Sequence, residues 1–114
     1  MIDGGLSALA GEMERLNGLI EDALVELGKA AQAVAHAEHA YRRAKAEAWQ
    51  TTSAALAGQR AAQVDAETAD LRLARDLAAG AKQTAAQSVT ARVGQLDALR
   101  SLVSAMRTEM GLAR

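Results

Sequence analysis

The residues of this 114-residue chain that could do chemistry are gathered in one stretch, HAEHAYRRAKAEAW, at positions 36–49. The stretch holds both histidines, the single tyrosine and the single tryptophan of the chain. His36 and His39 are three residues apart, so on a helix they share a face and could ligate one metal ion. Because this spacing supplies only two ligands, we interpret them as solvated side chains and expect no metal site.

The same stretch carries three basic residues, Arg42, Arg43 and Lys45, next to aromatic side chains. Such a set could contact phosphates of a nucleic acid while Trp49 stacks on a base, and Arg60 would extend the patch across a turn. Two glutamates lie among these residues, however, which favours a solvated basic face near the end of a helix, where it suits the helix dipole. A contact site for nucleic acid or for a protein partner remains the alternative.

No group of residues in the chain predicts an enzyme. We find no nucleophile–base pair with an orienting residue, no glycine-rich phosphate loop and no paired-carboxylate motif. We therefore expect no catalytic residue and no cofactor. A net charge of −1 points to no nucleic acid or membrane surface, no apolar run is long enough for a bilayer, and the absence of cysteine suits the cytoplasm.

The composition predicts an all-α fold. Proline is absent, aromatic residues make up 2% of the chain, and alanine is abundant, which favours long helices packed through small side chains. In the first half, the apolar residues follow one heptad pattern with gaps of four and three. Its positions are Ile2, Leu6, Leu9, Met13, Leu16, Ile20, Ala23, Leu27, Ala30, Val34, Ala37, Tyr41, Ala44 and Ala48.

The second half carries a less regular apolar stripe, in which gaps of four repeat between Ala81 and Val93. Its positions are Leu71, Ala74, Ala78, Ala81, Ala85, Val89, Val93, Leu96, Leu99, Val103, Met106 and Met110. Between the two halves, QTTSAALAGQ at residues 50–59 predicts a turn, because threonine and serine favour caps and turns over helix interiors. Thr52 or Ser53 is expected to cap the second helix.

These patterns predict one domain over residues 1–114, an antiparallel, coiled-coil-like hairpin of two long helices at about 3–50 and 54–111. Antiparallel pairing sets six acids and one base of residues 1–28 beside four bases and two acids of residues 92–114. A hairpin leaves five leucines outside its seam: Leu19, Leu24, Leu73, Leu77 and Leu102. We therefore expect docking on a protein partner or a homo-oligomer, with a dimer forming a four-helix bundle favoured. The expected assembly seam is Leu9, Met13, Leu16, Ile20, Leu27, Leu96, Leu99, Val103, Met106 and Met110.

The segments YRRAKAEAW, AETADLRLARDLAAGAK and LDALRSLVSAMRTEM resemble small alanine-rich helical proteins encoded by bacteriophages, especially those of actinobacteria. The resemblance covers about residues 41–114 and rests on Tyr41, Ala44, Lys45, Ala46, Asp70, Ala74, Asp76, Ser101, Met106, Arg107 and Glu109. It implies a non-enzymatic protein in the cytoplasm of a bacterial host that binds and modulates a host or phage protein. It supplies no catalytic residues.

Two further functions stay open beside this preferred one. The first is a nucleic-acid-binding accessory of phage replication or recombination. The second is a structural virion component, or a secreted hairpin similar to the Trp-x-Gly family, whose size and turn-proximal tryptophan match this chain. The sequence at Trp49 is WQT, without the glycine of that family, and no Tyr-x-x-x-Asp/Glu tail follows the second helix.

Overall fold

The chain is all-helical over the part that a computed structural model describes, residues 2–112, with side chains described for residues 5–111. Three helices occur in this part, α1 (Ile2–Thr51), α2 (Ala57–Glu67) and α3 (Ala69–Leu112), and no strand. The all-α prediction is confirmed, as the absence of proline and the abundance of alanine indicate. None of the helices described combines the length and the apolar content that a membrane span requires.

The predicted turn is confirmed, but its cap is not the predicted one. The first helix ends within one residue of the prediction, and the linker occupies residues 52–56. The N-cap of α2 is Leu56, which is extended and makes no side-chain capping hydrogen bond. The expectation of a cap at Thr52 or Ser53 is therefore wrong. The Thr52 hydroxyl instead donates to the Gln63 amide oxygen over 2.7 Å, across the turn.

The single second helix predicted for residues 54–111 is interrupted at Thr68. The Thr68 hydroxyl and backbone N–H both donate to the Val64 carbonyl, over 2.8 Å and 3.0 Å, and a threonine hydroxyl on this carbonyl distorts a helix. Thr90 makes the same contact within uninterrupted α3, but its side chain is exposed, whereas that of Thr68 is buried. The interruption is local, because Arg72 N–H still donates to the Thr68 carbonyl over 3.0 Å.

Contacts divide the chain into two compact units, and the first combines both ends of the sequence. Unit 1 comprises Met1–Glu26 and Ala85–Arg114. Its two helical segments run antiparallel, since the beginning of α1 lies beside the end of α3: a Cβ placed on Gly5 would lie 3.7 Å from Met106 Cε. Leu16, Leu96 and Val103 form the buried core of this unit.

Unit 2, Leu27–Thr84, contains the end of α1, the turn, α2 and the beginning of α3. It is a helical hairpin, because residues on either side of the turn meet in antiparallel order: Trp49 contacts Arg60, and Tyr41 contacts Arg75 farther from the turn. Its buried side chains are Tyr41, Ala48, Val64 and Thr68.

The heptad predicted for α1 is confirmed by burial. Every pattern position from Leu6 to Ala48 is buried or half-buried, while Ile2 lies outside the residues whose side chains are described. The ten residues expected at an assembly seam are also all buried or half-buried within the chain, and seven of them are only half-buried. The pair of helices covers these seven residues only in part, so they keep accessible surface.

The stripe predicted for α3 is partly wrong. Arg75 and Arg92 are half-buried and occupy seam positions that the prediction did not include. An arginine can take such a position because its aliphatic stem packs while its guanidinium reaches water, and a pattern built on apolar residues alone passes over it. Four residues that the prediction placed in the seam are exposed instead: Leu71, Ala74, Ala81 and Val93.

The prediction of leucines outside the seam is confirmed for four of the five residues. Leu24, Leu73, Leu77 and Leu102 are 48–65% exposed, whereas Leu19 is half-buried. Both units therefore present large apolar side chains to solvent, and those of unit 1 adjoin the grooves described next.

Candidate interaction surfaces

Two grooves run along unit 1, one on each side of its seam. Groove 1 takes residues that directly follow seam positions, such as Glu14 and Ser104, and groove 2 takes residues that directly precede them, such as Glu12 and Leu102. Their volumes are about 430 and 390 Å³. A pair of helices has two such sides, and a further helix can pack against either of them.

Groove 1 has an apolar floor and charged borders. Its lining is Leu6, Ala10, Met13, Glu14, Asn17, Arg100, Val103, Ser104 and Arg107. The floor consists of the seam residues Leu6, Met13 and Val103. The carboxylate of Glu14 stands on the α1 side, and the guanidinium groups of Arg100 and Arg107 stand on the α3 side. This arrangement suits a helix that carries both apolar and charged side chains.

Apolar surface extends beyond groove 1 on the same side of unit 1. Leu24 lies one heptad after Asn17, and Val93 lies one heptad before Arg100, so each shares a helix face with a groove residue. Their side chains are 50% and 39% exposed. The floor of the groove and these two side chains together form an apolar strip along unit 1.

Groove 2 carries charges that are already paired within one helix. Its lining is Glu12, Arg15, Leu16, Gln95, Ala98, Leu99 and Leu102. Arg15 donates to both carboxylate oxygens of Glu12, with Nε 2.9 Å from Oε2. This hydrogen bonding and the attraction of opposite charges hold the pKa of Glu12 below its ordinary value and raise the pKa of Arg15.

Arg60 lies across the turn of unit 2 from Trp49 and contacts it. Arg60 Nη2 donates to the Trp49 carbonyl over 2.9 Å, and its guanidinium carbon lies 5.6 Å from the centre of the indole ring. Arg60 Nε is buried and has no hydrogen-bond partner among the described residues. Arg60 therefore braces the turn, while Trp49 stays 36% exposed.

Tyr41 occupies the seam of unit 2, and two cations lie close to its ring. Lys45 Nζ is 5.8 Å and the Arg75 guanidinium carbon 4.5 Å from the centre of its ring. Arg75 also donates to Asp76 over 3.0 Å, and this hydrogen bond raises the pKa of Arg75. A ring packed in this way is not available to stack on a base. Arg75 was not predicted from the sequence as a residue of this seam. Its position in the heptad of α3 is the feature that could have indicated it.

The remaining basic residues of the 36–49 stretch have acidic neighbours one helical turn away. Arg42 lies 3.4 Å from Glu38, and Arg43 lies 3.4 Å from Glu47. Both histidines of the stretch are exposed. Within residues 2–112, no group of three or more histidine, cysteine, aspartate or glutamate side chains is arranged to hold a metal ion. The geometry here is that of a solvated helix face with paired charges.

Comparison with known proteins adds no relative. No protein-family model matches this chain, and neither a curated protein nor a solved structure matches it.

Proposed function

We propose that this protein is a non-enzymatic interaction protein that binds another polypeptide by helix–helix packing against unit 1. The observation that carries the proposal is groove 1, with its apolar floor, its charged borders and the exposed Leu24 and Val93 beside it. A contiguous apolar surface with polar borders is typical of a protein interaction site.

The energetic support is the unfinished burial of the seam. Seven of the ten seam residues are half-buried, and each further square ångström of apolar surface removed from water contributes roughly 25 cal/mol before the entropic cost of association. A helix in groove 1 would bury the parts of Leu6 and Met13 that are still accessible. Packing of this kind needs no catalytic group, metal or cofactor.

The partner class follows from the resemblance to actinobacteriophage proteins. On that basis the polypeptide bound is a host or phage protein whose activity is modulated, and the setting is the cytoplasm of a bacterial host. A second copy of the chain is the other occupant that the grooves suit, and its binding would produce a four-helix bundle.

Site-specific photocrosslinking tests the proposal in the cell that naturally makes the protein. A photoreactive side chain placed at Ser104, which lines groove 1, should form a covalent adduct with the polypeptide in the groove. The matched control is Ser101 on the same helix, which is exposed and lines neither groove. Equal yields of adduct at the two positions would contradict the proposal, and the mass of the adduct reports what is bound.

The nucleic-acid alternative draws on one observation, the partly exposed Trp49 beside Arg60. It requires single-stranded DNA or RNA to bind with an affinity that falls steeply as salt is raised. Binding at low salt that the triple change Arg42→Ala, Arg43→Ala, Lys45→Ala removes would favour this function. Absence of binding by the unchanged protein at low salt would end it.

A further inference from the structure

The charges on the two borders of groove 1 lie at different levels along unit 1. A Cβ placed on Gly5 would lie 3.7 Å from Met106 Cε, so these two residues mark one level of the antiparallel helices. Arg100, six residues before Met106, is then level with Gly11, six residues after Gly5. Glu14 lies about 4.5 Å farther along α1, because an α-helix rises about 1.5 Å per residue.

Groove 1 therefore has a basic half and an acidic half that follow each other along its length. Arg107 and Arg100, about 10.5 Å apart, form the basic half on the α3 border. The acidic half begins at Glu14 on the α1 border and continues one heptad later at the exposed Glu21. Arg107, Glu14 and Glu21 have no ion-pair partner among the residues that the structure describes. Each half can thus pair with charges of a bound molecule.

The apolar strip of groove 1 runs through both halves. It begins at Leu6 and Met13 in the floor of the groove and ends at Leu24, which is 50% exposed. From Leu6 to Leu24 the distance along α1 is about 27 Å, which is the length of a helix of about five turns. A helix laid along this strip would bring its own flanks to the charged residues on both borders.

We infer that the occupant of groove 1 is an amphipathic helix of a partner protein whose charges change sign along its length. The inference rests on the proposed function and names the chemistry of the partner. The apolar face of this helix covers the strip. The half that lies over Arg107 and Arg100 carries carboxylates, and the half that lies over Glu14 and Glu21 carries basic groups. Because the two halves differ in charge, the helix binds in one direction.

A second copy of the chain does not supply this order of charges. A two-fold axis parallel to the helices would set the α1 border of each copy against the α3 border of the other at the same level. Asp97, which is 3.6 Å from Arg100 in the same helix, is level with Glu14 and would face it. A two-fold axis perpendicular to the helices would set the two acidic α1 borders against each other. Acid would meet acid in both cases, which disfavours association.

Two labelled peptides of equal composition test the inference on the full-length protein. Both are about 21 residues long and carry leucine at the a and d positions of each heptad. In the first peptide, glutamates flank the leucines of one half and lysines flank those of the other half. In the second, glutamate and lysine alternate, so that neither half has a net charge. We expect the first to bind roughly three- to tenfold more tightly, because it alone matches both halves of the groove.

Variants of the protein show which charge selects the peptide. Arg107→Glu should remove the preference for the first peptide. Arg72→Glu, the same change of charge on an exposed residue of α3 that lines neither groove, should preserve it. A third peptide, in which lysines replace the glutamates nearest Arg107, should bind Arg107→Glu more tightly than it binds the unchanged protein, a gain that a misfolded variant would not show. Fluorescence anisotropy at nanomolar peptide gives the affinities.

Three results would overturn the inference: equal affinities of the first two peptides, absence of binding by all three, and equal effects of the two variants. In cells, an adduct at position 104 with the mass of two chains would overturn it as well, because it would identify a second copy. If the peptides show no preference but position 104 captures a different polypeptide, the partner has another chemistry and the proposed function stands. If position 104 captures nothing above the control at position 101, the proposed function itself fails.

Discussion

Leu96 and Leu102 share a residue type, a helix and a unit, yet Leu96 is 4% exposed and Leu102 is 48% exposed. Truncation of a buried leucine removes its transfer free energy and leaves a cavity. We expect Leu96→Ala to lower the free energy of unfolding by about 2–5 kcal/mol, and Leu102→Ala to lower it by less than about 1 kcal/mol. Urea unfolding measures both, and equal losses would contradict the assignment of the core of unit 1.

The Glu12–Arg15 pair gives a prediction about pH at the same scale. Because Arg15 lowers the pKa of Glu12 from its ordinary 4.5, the stabilising contribution is present above that value and is lost as the pH falls through the lowered pKa. We expect Arg15→Gln to raise the Glu12 pKa towards 4.5, as followed by the carboxyl carbon chemical shift in NMR. Both side chains are exposed, so the effect on stability is small. Identical titration of Glu12 in the two proteins would show that the contact does not form in solution.

At the scale of elements, we attribute the interruption between α2 and α3 to the distorting effect of one hydroxyl group. The Val64 carbonyl that accepts from the Thr68 hydroxyl also accepts from the Thr68 N–H. Thr68→Val keeps the shape of the side chain and the backbone hydrogen bond, so we expect the free energy of unfolding to stay the same or to rise by up to about 1 kcal/mol. Thr90→Val, at an exposed threonine with the same contact, is the control. A loss of stability confined to Thr68→Val would mean that the hydroxyl supports the junction.

The elements also show what sequence reasoning can reach. The first helix and its seam were predictable from Leu6 to Ala48, because apolar residues fill every heptad position. The seam of α3 was not fully predictable, because Arg75 and Arg92 pack by their aliphatic stems at positions where an apolar residue is expected. The turn was located by its threonines and serine, but its cap was misplaced because the Thr52 hydroxyl bonds to a glutamine eleven residues away, a contact that no local rule anticipates.

At the scale of the whole molecule, the chain forms two units whose surfaces differ in how their charges are arranged. Unit 2 pairs Arg42 and Arg43 with glutamates of the same helix and braces its turn with Arg60. In unit 1, Glu14 and Arg107 lie on either side of an apolar floor and have no ion-pair partner among the described residues. The sequence predicted an interaction surface through its exposed leucines. It did not predict groove 1, because the groove depends on the side of the seam on which Glu14, Arg100 and Arg107 lie.

The chemical accessibility of groove 1 in the cell tests the central claim most directly. The chain contains no cysteine, so Ser104→Cys and Ser101→Cys each place one thiol on α3, inside and outside the groove. We predict that a membrane-permeant maleimide labels position 104 much more slowly than position 101 in cells, and that both react at similar rates in dilute, urea-unfolded protein. Similar rates at the two positions in cells would show that nothing occupies groove 1, and would contradict the account.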